Sequence, residues 1–162
     1  MNPDTIQHYS GFRKVLGETN LVINPASKVC LVGKSGSGIE SFMHAVLGEA
    51  HLSSGVFMMN GVVNYISETH QIFVEDTVKA NIVLSKKYSR SKFLGILSSL
   101  NLDLSKYPSG SDTQIMPNGL NFSLTERKQI LLARMLYHGG DIFCLENFFE
   151  DLGTEIAGRF FT

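Results

Sequence analysis

Apolar and polar positions along the chain switch between two periods, and the elements they predict interleave. Residues 13–23 read as extended and close on Asn24, Pro25, Ala26 and Ser27, a turn signal. The apolar run 28–32, with Val29, Cys30, Leu31 and Val32, predicts a short buried strand. Ile39, Phe42, Met43, Val46 and Leu47 recur at helical spacing, so residues 39–47 predict a helix with one apolar face. A turn is expected at 51–55. Strands are expected at 56–59 and 62–66, joined as a hairpin by Asn60 and Gly61.

Residues 77–84 and 91–100 read as helices, the second with Phe93, Leu94, Ile96 and Leu97 on its apolar side. The stretch 105–121, with Pro108, Gly110, Pro117 and Gly119, is turn-rich. A long helix follows over 124–138, apolar nearly all round after Ile130 and therefore buried. A buried strand at 141–145 and a partial helix at 153–161 end the pattern. Interleaved strands and helices predict an α/β layer fold.

Composition narrows the possibilities. A chain of 162 residues, 43% of them hydrophobic, with a mean hydropathy of +0.05, suits one folded domain. With 14 basic and 15 acidic residues, the net charge of −1 argues against a dedicated nucleic-acid or anionic-membrane binder. No apolar stretch approaches the ~20 residues of a membrane span. The first residues lack the basic region and apolar core of a signal peptide. Cys30 and Cys144 both fall in expected buried strands without CxxC spacing, which predicts free thiols in a reducing compartment. His8, His44, His51, His70 and His138 never fall at metal-ligand spacing.

The chemistry concentrates between the expected strand at 28–32 and the helix at 39–47. Gly33, Lys34, Ser35, Gly36, Ser37, Gly38, Ile39, Glu40 and Ser41 place three glycines where the phosphate-binding pattern GxxGxGK[ST] has them. Ile39 fills the lysine position and Glu40 the Ser/Thr position. A register using Lys34 and Ser35 instead would need glycine at Lys28. Ile39 removes a positive charge and Glu40 adds a negative one. A like charge at ~4 Å costs about 4 kcal/mol at an effective dielectric near 20. Backbone N–H groups and the helix dipole still attract anions there.

Further segments extend the likeness. Residues 62–82 contain Thr77, Val78, Asn81 and Ile82 in the pattern TVxxNI. Residues 111–137 carry Phe122, Ser123, Leu124, Thr125 and Glu126, then Leu131, Leu132, Ala133 and Arg134. Residues 141–147 end in Glu146 and Asn147. In order and spacing these resemble the nucleotide-binding domains of ATP-binding cassette (ABC) transporters, closest to the class C, multidrug-resistance-associated branch. The resemblance covers residues 9–161. It implies a P-loop NTPase fold of the ABC type, with a mixed sheet flanked by helices and an α-helical subdomain. The expected layout is one domain over 1–162: a β-subdomain and P-loop core at about 9–84, a helical subdomain at about 85–123, and a signature helix, Walker B strand and D-loop at about 124–162. The switch-histidine region has no counterpart, so the domain is expected to be incomplete at its C-terminal side.

The family's functional positions carry over one at a time, and this chain departs at most of them. Glu68 stands where the family has the Q-loop glutamine, as a weak Mg²⁺ ligand or a solvated acid. The signature LSGGQ aligns with Phe122, Ser123, Leu124, Thr125 and Glu126, and Leu124 and Thr125 add β-carbons where close approach to phosphate is needed. Ser123 and Glu126 also satisfy a capping box, a purely structural role and the favoured reading. Glu146 takes the metal-binding aspartate position. Asn147 takes the general-base position, where an amide accepts no proton near neutral pH. Residues 150–153 replace the family's SALD. Tyr9 lies where an adenine-stacking aromatic belongs, or is a surface tyrosine.

The resemblance therefore implies ATP and Mg²⁺ as cofactors, weakly held or lost. It implies transmembrane domains and a second nucleotide-binding domain as partners, at the cytoplasmic face of a membrane. The expected function is a degenerate nucleotide-binding domain of a transporter, with poor or absent hydrolysis. A non-catalytic pseudo-ATPase scaffold and a gene fragment are the alternatives.

Overall fold

The computed structural model describes residues 16, 17, 19–67, 72–149 and 158, together with the backbone of 5–8. It divides into two compact units, Met1–Gly61 and Val62–Thr162. Helices combine with a parallel strand pair, so the fold class is α/β.

In the first unit, β1 (Thr5–His8) pairs antiparallel with β2 (Ala50–Ser54), and α1 (Ile39–Val46) lies against β2. The apolar stripe expected on α1 is real: Met43 and Ala45 are buried, and Ile39, Phe42 and Val46 are half-buried.

Several expectations for this unit are corrected. Residues 28–32 form no strand, because no described segment pairs with them; Val32 is 88% exposed and Cys30 is exposed rather than buried. Most of the expected turn at 51–55 is strand, since pairing with β1 holds it extended until Gly55 at φ +93°. Residues 56–59 are irregular, with Met58 87% exposed, and the Asn60–Gly61 hairpin does not form. The following strand takes a distant partner instead, and a parallel ladder in a packed unit outweighs a local turn signal. Of the extended stretch 13–23, the described residues are unpaired.

The second unit keeps closer to the sequence pattern. β3 (Val63–Ser67) and β4 (Ile142–Glu146) run parallel, with Tyr65 opposite Cys144 and Ser67 opposite Glu146. Cys144 is half-buried, and burial pushes its thiol pKa up. α2 (Val78–Val83), α3 (Arg90–Ser99) and α4 (Leu124–His138) enclose the core, in which Val78, Ile82, Phe93, Ile130, Leu132 and Phe148 are almost fully buried. As expected, α4 is buried along most of its length after Ile130. On α3, Phe93 and Leu97 face the core, but Leu94 is 49% exposed, a correction to the expected apolar side. Of the partial helix expected at 153–161 only Gly158 is described, and it is helical; the rest lies outside the described residues.

One buried polar clasp joins α2, α4 and the loop before α2. Asn81 is fully buried: its Oδ1 accepts from Val74 N–H at 2.9 Å and from Arg134 Nη2 at 3.0 Å. Its Nδ2 donates to the carbonyls of Val74 and Thr77. Arg134 spends its other donors on the carbonyls of Asn81, at 2.7 Å, and Ile72, at 2.8 Å. Thr77 caps α2, its side chain accepting from Ala80 N–H. TVxxNI thus works as scaffold: a cap, two core side chains and a clasp.

Asn81→Ala leaves Arg134 and the Val74 amide without that acceptor. Leaving buried polar groups unpaired costs about 1–3 kcal/mol each, so urea unfolding is expected to show a loss of roughly 3 kcal/mol. An unchanged midpoint would mean that the clasp contributes nothing.

Candidate nucleotide-binding site

The glycine-rich loop follows an irregular segment rather than the strand expected before it, and leads into α1. Gly36 and Gly38 stand at φ +78° and +96°, a region that L side chains avoid. Ser37 N–H donates to the Lys34 carbonyl at 3.0 Å, and Phe42 N–H to the Gly38 carbonyl at 2.8 Å. Gly38 is the N-cap of α1 and supplies no side chain to its first turn, so the early N–H groups stay open.

What the loop encloses is not cationic. A β-carbon at Gly33 would collide with Ser37 Oγ and stand 3.1 Å from Ile39 Cδ1, so the Ile39 side chain folds back over the start of the loop. Glu40 points outward, 79% exposed, with His44 Nε2 at 4.0 Å, and His44 Nδ1 meets Glu49 Oε2 at 2.6 Å. Lys34, Ser35 and Ser37 are exposed, and Ser41 is half-buried.

In the second unit, β4 delivers Glu146 and Asn147 at its end. Glu146 accepts a short hydrogen bond from the Tyr65 hydroxyl. Strand register explains the pair: Tyr65 lies opposite Cys144, and Glu146, two residues on, shares its face. Asn147 is exposed at φ +46°, a conformation that asparagine tolerates better than glutamate.

The signature residues form the capping box. Ser123 Oγ accepts from Glu126 N–H at 3.3 Å and Ser123 N–H donates to Glu126 Oε2 at 2.9 Å. Glu126 Oε1 accepts from the Tyr107 hydroxyl at 2.8 Å and faces Lys106 Nζ at 2.7 Å. Burial opposes ionisation of Glu126, but Lys106, Ser123 and Tyr107 together outweigh it and hold its pKa at about 2. Burial and the Glu126 hydrogen bond push Tyr107 up to about 12. Phe122 is buried against Tyr107, ring centroids 4.8 Å apart, while Leu124 is exposed and Thr125 half-buried on the first turn.

Tyr9, Glu68 and residues 150–153 lie outside the described residues. Tyr65, Lys106 and Tyr107 were not singled out from the sequence. Each reaches its carboxylate across strand register or a turn-rich loop, for which sequence spacing carries no signal. Among the described residues, no group of three or more metal-ligating side chains gathers, and no helix is long and apolar enough to cross a membrane.

Comparison with known proteins bears on the chain as a whole. No protein-family model matches the chain. Over 148 residues, 90% of its length, the chain is 28% identical to ABC transporter C family member 13 of Arabidopsis thaliana. It is 29% identical over 147 residues to mouse ATP-binding cassette sub-family C member 2, and 27% over 164 residues to human sub-family C member 4. The chain spans about a tenth of the length of these relatives: 10%, 9% and 12%. The chain is thus similar to a stretch of these ATP-binding cassette transporters. All three belong to the class C branch, and the likeness supports the P-loop fold.

Glu126 sets a pH dependence. Its folded pKa lies below its ordinary value of 4.5, so the stability it contributes is complete above that value and is lost as pH falls towards about 2. Glu126→Gln is expected to flatten this loss in denaturant titrations between pH 5 and 2, and to lower stability at pH 7 by roughly 1–2 kcal/mol as the cap weakens. A wild-type chain whose stability does not fall across that window would contradict the assignment.

Proposed function

We propose that the chain is the nucleotide-binding domain of a class C-like ABC transporter, in a copy that holds nucleotide phosphate weakly and hydrolyses ATP poorly or not at all. The observation that carries the reading is the glycine-rich loop: its left-handed glycines persist, while Ile39 folds over Gly33 and Glu40 stands at the rim. Backbone N–H groups and the dipole of α1 remain as the anion attractors. Exposure screens Glu40 and softens the repulsion without reversing it. These residues do not fit a tightly held MgATP.

The remaining positions agree with this reading. Leu124 and Thr125 put side chains where the family brings phosphate close to backbone, and Ser123 and Glu126 are committed to the cap. Glu146 keeps a carboxylate for a weakly held Mg²⁺, with Glu68 as a second ligand. Asn147 has no proton-accepting capacity. Transmembrane domains and a second nucleotide-binding domain would be the partners at the cytoplasmic face, and one domain with a helical subdomain at about 85–123 the layout. A competent partner domain would supply catalysis.

A pseudo-ATPase scaffold is the second reading, favoured by the internal engagement of Glu126 and Glu146. Calorimetric titration with MgATP separates the two. Micromolar binding supports the transporter reading, and none at millimolar concentration supports the scaffold. Ile39→Lys with Glu40→Ser is expected to recover binding at least tenfold, about 1.4 kcal/mol, and to leave hydrolysis absent. Robust turnover by this double variant would show that the other departures are harmless.

A further inference from the structure

We propose that the surface formed by the α2–α3 turn and the first turns of α3 is a peripheral docking site for an anionic membrane surface. The net charge of −1 conceals a segregated distribution. Between Asp76 and Asp103 there is no acidic residue, and the stretch holds Lys79, Lys86, Lys87, Arg90 and Lys92. That is +5 against −6 for the rest of the chain.

Local contacts leave most of this charge available. Lys79 is paired with Asp112, and Lys92 donates to the Tyr137 carbonyl at 2.7 Å. Lys86, Lys87 and Arg90 are exposed, and among the described residues no ion pair engages them. Two of them lie in the turn and the third begins α3, whose first turn holds no acid to neutralise them.

Apolar side chains stand beside the charges. Leu84, held at φ +46° at the end of α2, Tyr88 and Leu94 are each nearly half exposed. Arg90 and Leu94 are four residues apart and share one face of α3. Phe93 and Leu97, on the adjoining face, anchor the helix in the core. Long, exposed cations interleaved with exposed leucine and tyrosine are the composition of an interfacial surface: ammonium and guanidinium groups meet phosphate headgroups, and the apolar tips enter the acyl boundary. The exposed cations stand on a turn and one helix end, with no fixed cradle of donors among the described residues of the kind a phosphopeptide needs; a lipid surface requires none. The contact is adsorption, with no spanning segment.

Co-sedimentation of the whole chain with vesicles tests this. Phosphatidylcholine vesicles containing roughly one-third phosphatidylserine are expected to pellet the protein at about 0.1 M salt, and far less at about 0.5 M. Pure phosphatidylcholine vesicles are expected to leave it in the supernatant. Lys86→Gln, Lys87→Gln and Arg90→Gln together should weaken binding roughly a hundredfold with an unchanged melting curve. Leu84→Ser with Leu94→Ser should weaken it at both salt concentrations. Equal pelleting with neutral vesicles, no pelleting with anionic ones, undiminished binding by the triple variant, or tighter binding of an acidic peptide than of the vesicles would each overturn the proposal.

Discussion

The second unit depends on a polar constraint placed where apolar packing alone would not fix geometry. Arg134 is carried into the interior on α4, and burial pulls its guanidinium pKa down. It stays there because each of its three nitrogens donates to an acceptor: Nε to the Asn81 carbonyl, Nη1 to the Ile72 carbonyl and Nη2 to Asn81 Oδ1. Asn81 in turn occupies the backbone groups of Val74 and Thr77, so the loop, α2 and α4 have one relative arrangement. Leucines and isoleucines around them supply the driving force but little angular specificity. A second clasp works the same way at the other end of α4, where Glu126 gathers Ser123, Tyr107 and Lys106.

These clasps separate two sets of residues. Asn81, Arg134, Ser123 and Glu126 all act on the protein itself, and each has its partners within the second unit. Under the proposed function, the partners of Ile39, Glu40, Leu124 and Asn147 would be phosphate, metal or water. At those positions the side chains are apolar, of the wrong charge or without a basic lone pair. Asn147 adds a backbone reason: its left-handed conformation suits a short amide and would strain a glutamate.

Legibility from sequence followed the same division. α2, α3 and α4 were readable because helical period, the Thr77 and Ser123 caps and the turn-rich stretch before α4 all agree. The capping box was legible in full from two residues three apart. Strands in the first unit were not. An apolar run such as 28–32 carries no record of which neighbour pairs with it, and the Asn60–Gly61 signal lost to the distant parallel ladder of β3 and β4. The left-handed loop at Gly36 and Gly38 was foreseeable from glycine spacing. That Ile39 would fold back over Gly33, and that Tyr65 would hold Glu146, depends on geometry that no local pattern encodes.

The proposed loss of hydrolysis is tested most directly by one measurement, steady-state phosphate release from MgATP by the wild-type chain and by Glu146→Gln. Release at the buffer rate from both is the expected result. Release from the wild type that Glu146→Gln abolishes would show an intact catalytic site and contradict the central claim.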